Sequence, residues 1–170
     1  KRPQMATVRP MMFSPLKADT SRKGHVITES VVVDREDCYE VISTMKKDSS
    51  GAAIDQAELL VSGGRGIKSE ADFRTLGDLA ALLGGQVAAS RPPVDMGWLP
   101  HNQQIGQSGT AVKPDHIINV GISGSVQYEV GMQNSGCIIS INHNPDAPIF
   151  SISNYGVVGD YRSVIHAIIA

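Results

Sequence analysis

Short apolar runs alternate with helical periods over residues 57–170, and this alternation is the strongest pattern in the chain. Runs with the length and content of buried strands occur at 57–61, 86–90, 116–120, 137–142 and 149–153. Strands that alternate with helices are joined by right-handed crossovers and build a parallel sheet. The pattern therefore predicts an α/β domain with a parallel sheet.

Three helices are predicted between and after these strands. Ser69 is placed to cap the first, with Asp72 three residues later as the acid of a capping box, and Gly84-Gly85 to end it. The sequence Arg91-Pro92-Pro93 is predicted to continue neither strand nor helix, and residues 96–112 to form a loop. The apolar positions at helical spacing are Phe73, Leu76, Leu79, Leu82 and Leu83; Tyr128 and Val130; and Val164, Ile165, Ile168 and Ile169.

Residues 1–50 have a different pattern, which predicts lead-in strands and a linker from a preceding domain. Half-alternating, β-branched stretches at 4–8 and 25–34 predict two extended segments, while 38–45 fits either a strand or a helix. Residues 46–51 are polar and are predicted to be a linker, so that the main domain covers 51–170. Because the chain opens without Met, we expect it to be a fragment of a longer protein.

Composition excludes several classes of function. The formal net charge of the 170 residues is -2, and no Lys/Arg stripe is interleaved with aromatic residues, which argues against nucleic acid as a partner. Two distant cysteines and five scattered histidines predict reduced thiols and no metal site. No run approaches the ~20 apolar residues of a membrane span, so we expect no insertion into a membrane.

Two glycine-rich loops follow predicted strands. Residues 62–66 lie between a strand and a capped helix, so their backbone amides and the helix N-terminus can meet a phosphate. They match neither the dinucleotide fingerprint nor the Walker A loop, and a turn for tight strand–helix packing explains them equally well. Residues 121–124 repeat the arrangement. Two such loops in one sheet favour a ligand that carries phosphate.

Other polar residues fit this site or have ordinary structural explanations. Arg91 directly follows a strand, although a surface salt bridge is the commoner role of a single arginine. Residues 104–109 carry two amides and a hydroxyl on a flexible backbone. Neither Ser62 nor Ser123 lies in a Gly-x-Ser-x-Gly elbow, which argues against a hydrolase.

Several motifs in one order resemble the alpha subunit of electron-transfer flavoproteins. The motifs include Val61-Ser-Gly-Gly-Arg-Gly-Ile-Lys68, Ala89-Ser-Arg91 and Gln104-Ile-Gly-Gln-Ser-Gly109. The others lie at 94–95, 97–98, 121–124, 141–142, 146–150, 154–156 and 158–160. The resemblance runs from about Gln4 to the end, and it identifies residues 51–170 with the family's C-terminal FAD-binding domain.

The resemblance implies a fold, a cofactor and partners. The fold would be a Rossmann-like parallel sheet with helices on both faces, of the type shared with thiamine-diphosphate enzymes and sirtuins. The cofactor would be FAD and the partner a beta subunit, with acyl-CoA or other dehydrogenases and a quinone reductase exchanging electrons. An electron-bifurcating, NADH-linked complex is the alternative, and a flavin-free interaction domain a third. The location would be the cytoplasm of a prokaryote or the mitochondrial matrix of a eukaryote.

The resemblance also implies which residues contact FAD. Arg65, Ser90 and Ser123 would meet the pyrophosphate, with the amides of the turn that follows Ser123. Asn142 and Asp160 would hold the adenosine end. Near the isoalloxazine ring would be Arg91, Ser108 (close to N5) and the two glutamines of 104–109. The complete implied set is Arg65, Ser90, Arg91, Gln104, Ile105, Gly106, Gln107, Ser108, Ser123, Gly124, Ser125, Val126, Gln127, Tyr128, Asn142 and Asp160.

Three positions depart from the family pattern. Tyr128 stands where the family usually has His, whose imidazole donates to flavin O2; a tyrosine hydroxyl can also donate but has no positive charge. Ser108 replaces the more usual Thr and keeps the hydroxyl. His143 stands where Lys is common.

Overall fold

In a computed structural model of the chain, residues 2–7, 16–30, 42–44 and 53–169 are described. The chain divides into two units, Lys1–Asp48 and Ser49–Ala170. The described residues of the first unit are exposed and form no strand, in contrast to the prediction for 4–7 and 25–30. Among the described residues of this unit no strand lies beside these segments, and a strand needs a paired neighbour for stability. Predictions for residues 8, 31–34, 38–41 and 45–52 lie outside the described residues.

The second unit contains one sheet of five parallel strands. The strands are β1 (Leu59–Gly63), β2 (Gln86–Ala89), β3 (His116–Val120), β4 (Cys137–Asn142) and β5 (Tyr155–Val158). Their order in the sheet is β2-β1-β3-β4-β5. The chain therefore moves one way from β1 to β2 and the other way from β3 onward, and ligands of such sheets bind outside the carboxyl ends near this reversal.

Helices cover both faces of the sheet, as the Rossmann-like prediction requires. They are α1 (Glu70–Leu82), α2 (Arg91–Asp95), α3 (Val126–Glu129) and α4 (Tyr161–Ile169), with 3-10 helices at Ile54–Gln56, His101–Gln103 and Pro148–Ile152. Alternate strand residues enter two separate cores: Leu60 and Ile117 pack with Tyr128 and Ile149, whereas Val61 packs with the side chains of α1 and α4. This alternation follows from the opposite directions of successive strand side chains.

Helix α1 forms as its sequence predicts. The Ser69 hydroxyl accepts a hydrogen bond from the Asp72 backbone N–H at 3.1 Å. Phe73, Leu76 and Leu79 are buried on one face. The helix ends before Gly84, whose φ of +71° lies in the left-handed region that glycine adopts at low cost.

Two predictions about local structure were wrong. Residues 149–153 form no strand: Pro148–Ile152 is a 3-10 helix, and the fifth strand is the exposed segment Tyr155–Val158. Ile149 belongs to the buried core beneath the sheet. Periodicity alone does not distinguish a short buried apolar segment of this kind from a strand. Arg91-Pro92-Pro93 begins helix α2, since the first turn of a helix needs no N–H from proline.

Candidate functional site

A cleft of about 990 Å³ lies at the carboxyl edge of the sheet. Its walls come from the segments that follow β1, β2, β3 and β4. Thirteen of the sixteen predicted residues line it: Arg65, Ser90, Arg91, Gln104, Ile105, Gly106, Gln107, Ser108, Ser123, Ser125, Gln127, Tyr128 and Asn142.

The remaining three predicted residues lie elsewhere. Asp160 lines a neighbouring cavity of about 160 Å³, and Gly124 and Val126 line neither cavity. Lys68 and His143 line both cavities. The prediction did not include Lys68, although a cation directly after a glycine-rich loop is a signal that would have found it.

The first glycine loop is tied to the rest of the protein through its backbone. Gly64 N–H donates to the Val120 carbonyl and Gly66 N–H to the Gly121 carbonyl, both at 2.9 Å, and Ile67 N–H bonds back to Gly64. Lys68 N–H points to the Tyr161 hydroxyl at 3.4 Å. Most amides expected to meet a phosphate are therefore already used within the protein.

The N-terminus of α1 is also closed. Asp72 bonds to Ser69 and to the Tyr161 hydroxyl, and it pairs with the Arg162 guanidinium at 2.8 Å. Arg162 and Ser69 hold the pKa of Asp72 well below its usual range. Neither Ser69 nor Glu70 lines the cleft. The prediction that this helix end meets a phosphate is therefore not supported, because the protein supplies its own carboxylate there.

In the second glycine loop and the turn after it, Gly121 N–H donates to the Ile141 carbonyl at 3.0 Å, but several later backbone donors are unused. The N–H groups of Ser123, Ser125 and Gln127 belong to residues that line the cleft. Within the described part of the chain, none of the three donates to a protein acceptor. Unpaired amides at a concave polar surface favour an anionic ligand.

The two loops contact each other through their glycines. A Cβ on Gly64 would overlap the Gly121 carbonyl oxygen, and a Cβ on Gly66 would lie 2.8 Å from the Gly121 Cα. Gly121 itself has φ of +63°, a conformation that other residues rarely adopt. The glycines of the first loop are therefore required for loop-to-loop packing.

The loop that contains residues 104–110 forms the opposite wall. Ile105 N–H donates to the Ala89 carbonyl at 2.8 Å, and Gln107 N–H to the Gln127 carbonyl at 2.7 Å. The Gln104 side chain is buried, and its Nε2 donates to Ser108 Oγ at 3.0 Å. Because Ser108 Oγ accepts this bond, the Ser108 proton is available to an acceptor in the cleft.

Arg91 stands at the rim. Its side chain is 71% exposed and pairs with Asp95 at 3.1 Å, one helical turn away in α2. An exposed pair of this kind contributes little to stability. The guanidinium is therefore a positive charge that a ligand in the cleft can attract away from Asp95.

Asn142 and Tyr128 form the floor, and their polar groups are used within the protein. Asn142 Nδ2 donates to the Ile122 carbonyl at 2.8 Å, and its Oδ1 accepts from Asn144 N–H at 2.9 Å. The Tyr128 hydroxyl lies 2.7 Å from Asn119 Oδ1 and 2.9 Å from Ser62 Oγ. Burial raises the pKa of Tyr128 well above its usual range. The hydroxyl that was expected to face a flavin thus bonds to the sheet.

Two negative findings hold for the described residues. Among them, no group of three or more His, Cys, Asp or Glu side chains is placed to bind a metal ion. None of the helices formed by these residues is long and apolar enough to cross a membrane.

Comparison with known proteins finds a family that matches this part of the chain. Residues 53–133 match the family described as electron transfer flavoprotein FAD-binding domain. The matched region contains β1 to β3 and every described cleft residue up to Tyr128.

Whole-chain relatives agree with this match. The chain is 44% identical, over 99% of its length, to electron transfer flavoprotein subunit alpha of Thermoanaerobacterium thermosaccharolyticum, and covers 52% of that protein. It is 41% identical to protein FixB of Clostridium saccharobutylicum and covers 51% of it. It is 40% identical, over 96% of its length, to the lactate dehydrogenase (NAD(+),ferredoxin) subunit LctC of Acetobacterium woodii, of which it covers 39%. The chain thus spans about half the length of the first two relatives.

Proposed function

Because the chain belongs to the electron-transfer flavoprotein alpha-subunit family, we propose that its cleft binds FAD and that the chain is the flavin-binding part of an electron carrier. One observation supports this most directly. Ser123, Ser125 and Gln127, whose N–H groups have no acceptor among the described residues, line the cleft at the strand-order reversal where α/β sheets bind nucleotides.

The residues present suit FAD. The cleft volume of about 990 Å³ lies at the upper end of the range for cofactor sites, roughly 300–1,000 Å³. Donors and cations line the cleft, which suits a pyrophosphate, and the adjoining cavity extends it past Asn142. A nucleotide that is long and anionic in the middle fits this combination.

We assign the parts of the cofactor by the chemistry of the lining. The pyrophosphate would lie against Ser123 and its turn, with Arg65 and Ser90 from the neighbouring strands. The adenosine would extend past Asn142 toward Asp160. The isoalloxazine ring would lie at the Arg91 and Ser108 end. Lys68 and His143, which line both cavities, would lie between the two halves.

The chain's own residues would control the flavin electrostatically. Bound FAD supplies the redox chemistry, taking up two electrons and releasing them one at a time. The Arg91 guanidinium would stabilise negative charge that reduction places on the ring. Ser108, whose oxygen already accepts from Gln104, would donate its proton toward the ring. Both effects favour the reduced cofactor.

The ring end of the cleft is open, which supports a role for a second subunit. Arg91, Gln107 and Ser108 are all exposed. We propose that an electron-transfer flavoprotein beta subunit covers them, and that dehydrogenases, acting on acyl-CoA or other substrates, and a quinone reductase exchange electrons with the complex. The relative LctC, whose name includes NAD(+) and ferredoxin, supports the alternative of an electron-bifurcating complex. The sequence of the partner subunit distinguishes the two.

The first test is an FAD titration of this chain, alone and with its partner subunit, followed by flavin fluorescence. We expect saturable binding, strengthened by the partner. No binding in the presence of the partner would disprove the proposal.

Arg91→Ala tests the ring end in the assembled complex. We expect the flavin potential to fall by tens of millivolts, since about 1 kcal/mol of lost charge stabilisation has this size. Arg74→Ala is the matched control, because Arg74 forms a similar exposed pair with Glu70 away from the cleft. A reductive titration that gives the same potential for Arg91→Ala and the wild type would overturn the assignment of Arg91.

A further inference from the structure

Beneath the cleft, polar side chains form a connected, largely buried hydrogen-bond network. Tyr128 bonds to Ser62 and to Asn119. Asn119 Nδ2 donates to Ser140 Oγ at 3.3 Å, and Ser140 lies 2.7 Å from Ser153 Oγ. Ser62, Asn119, Tyr128 and Ser140 are each at most 3% exposed. The FAD-binding proposal assigns no role to this hydrogen-bond network.

The direction of the protons follows from the end groups. Ser153 donates to the Ile149 carbonyl at 2.8 Å, and an amide or carbonyl oxygen can only accept. Ser140 must therefore donate to Ser153, and Tyr128 must donate to Asn119 Oδ1. The one remaining proton, on Ser62, then goes to the Tyr128 oxygen. Every hydroxyl proton in this network is used, and Tyr128 has none for a ligand.

The two ends of this hydrogen-bond network lead to the cleft walls. Ile149 N–H donates to the Ser123 carbonyl at 3.0 Å, which fixes the second glycine loop. On the other side, Tyr128 is part of α3, and the preceding Gln127 carbonyl accepts from Gln107 N–H at 2.7 Å. Gly106 lies close under the same carbonyl. The Tyr128 side chain thus connects the sheet to the two loops that form opposite walls of the cleft.

We propose that Tyr128 is a positioning residue: through Asn119 and Ser62 its hydroxyl anchors α3 to the sheet, and α3 in turn fixes the Gln107 loop and the Ser123 turn for FAD. This inference rests on the proposed binding of FAD. It assigns the hydroxyl an indirect role, in place of a hydrogen bond to the flavin ring. It also makes Asn119, which does not line the cleft, necessary for full affinity.

The first experiment needs no FAD. Amide hydrogen exchange is measured on the FAD-free chain for wild type, Tyr128→Phe and Asn119→Ala. We expect Gln107 N–H to exchange about fivefold faster in both variants, the size expected for one lost hydrogen bond. Tyr155→Phe is the control, because Tyr155 is 66% exposed and should leave this exchange unchanged. Unchanged exchange at Gln107 in Tyr128→Phe would overturn the proposal.

The second experiment measures the FAD dissociation constant in the partner-containing complex. Tyr128→Phe and Asn119→Ala should each raise it about fivefold, and the double variant should be no worse than the single ones, because both remove the same anchor. Additive losses, or a loss in Tyr128→Phe with none in Asn119→Ala, would show that the hydroxyl acts on the ligand directly.

A third variant keeps the test decisive if Tyr128→Phe does not fold. Ser62→Ala leaves the Tyr128–Asn119 bond intact, so we expect a smaller increase in Gln107 exchange than in Asn119→Ala. Exchange of the Gln107 N–H at the wild-type rate in both Ser62→Ala and Asn119→Ala would contradict the proposal. If wild type does not bind FAD at all, the proposed function fails, and the exchange results still decide whether Tyr128 anchors the loops.

Discussion

The two glycine loops look alike in sequence and do different work in the structure. Each follows a strand, and each precedes a helix. In the first loop, the Gly64 N–H donates to Val120 at the end of β3, and the Gly66 N–H donates to Gly121 of the second loop. In the second, Ser123 and its neighbours have unpaired amides beside the cleft. The first loop supports the second, and among the described residues it keeps one free N–H beside the cleft, that of Arg65, whereas Ser123, Ser125 and Gln127 keep three.

The helices that follow the loops differ in the same way. Helix α1 begins with its own carboxylate, since Asp72 closes its N-terminus together with Ser69 and Arg162. At the start of α3, Ser125 makes no side-chain capping bond. Asp72 thus closes the first helix through hydrogen bonds, whereas Glu129, the acidic residue in the first turn of α3, forms no side-chain hydrogen bond within the described residues. A glycine-rich strand–helix junction is therefore not by itself a phosphate site.

The largest expected effect comes from breaking the contact between the loops. Gly64→Val places side-chain atoms against the Gly121 carbonyl and Ile122, and we expect a loss of about 3 kcal/mol in the free energy of unfolding, as for other overpacked cores. Denaturant unfolding measures it.

Gly77→Ala is the control for Gly64→Val, because a Cβ at Gly77 in α1 meets no atom within 4 Å. That change should stabilise the protein by about 0.5–1 kcal/mol. Equal unfolding midpoints for the two variants would contradict the role given to the first loop.

An intermediate effect is expected from removing one backbone N–H in the turn that follows the second loop. Val126 is the first residue of α3, and its side chain is 70% exposed, so Val126→Pro fits the helix start and removes only an N–H. If this turn binds the pyrophosphate, FAD affinity should fall about tenfold, the value of one hydrogen bond to a charged group.

Val126→Ala, which keeps the N–H, is the matched control for the proline variant and should bind FAD as wild type does. Calorimetric or fluorescence titration of both variants measures the difference. Equal affinities would show that the Val126 N–H does not meet the ligand, and would restrict the phosphate contact to the N–H groups of Ser123, Ser125 and Gln127.

The smallest effect concerns the closed end of α1. The pKa of Asp72 is lowered in the folded protein, so its ionised form stabilises the fold fully above the usual aspartate pKa of about 4. This stabilisation declines as the pH falls below that value and through the lowered pKa of the folded state. Asp72→Asn should therefore lower the urea midpoint at pH 7, with a difference from wild type that shrinks by pH 3.

Asp78→Asn, an exposed change in the same helix, serves as the control for Asp72→Asn. It should leave the urea midpoint unchanged at both pH 7 and pH 3. A difference between Asp72→Asn and wild type that is as large at pH 3 as at pH 7 would show that the Asp72 carboxylate does not act through its charge. FAD affinity should be unaffected at pH 7, because Asp72 does not line the cleft.

Sequence patterns predicted most of the sheet but not its last strand. Four strands lie within two residues of their predicted limits, because buried, β-branched runs between turns have few other solutions. The error at 149–153 has a physical reason: Ile149 is buried by the 3-10 turn that Pro148 begins. The true edge strand, Tyr155–Val158, is exposed and contains Gly156, so it lacks the apolar signal of an inner strand.

The sequence by itself determined the local elements and the parallel α/β class. Through several motifs that occur in the family's order, it also determined the family resemblance and the group of residues that meet at the cleft. Local periodicity and capping depend on neighbours in the chain, and they are therefore readable from it. Only the tertiary structure decided which amides of the two glycine loops are free, that Asp72 occupies the end of α1, and that the Tyr128 hydroxyl faces Asn119. Each of these depends on partners 9 to 90 residues away in the chain, and hydrogen-bond satisfaction between such distant residues leaves no periodic signal in the sequence.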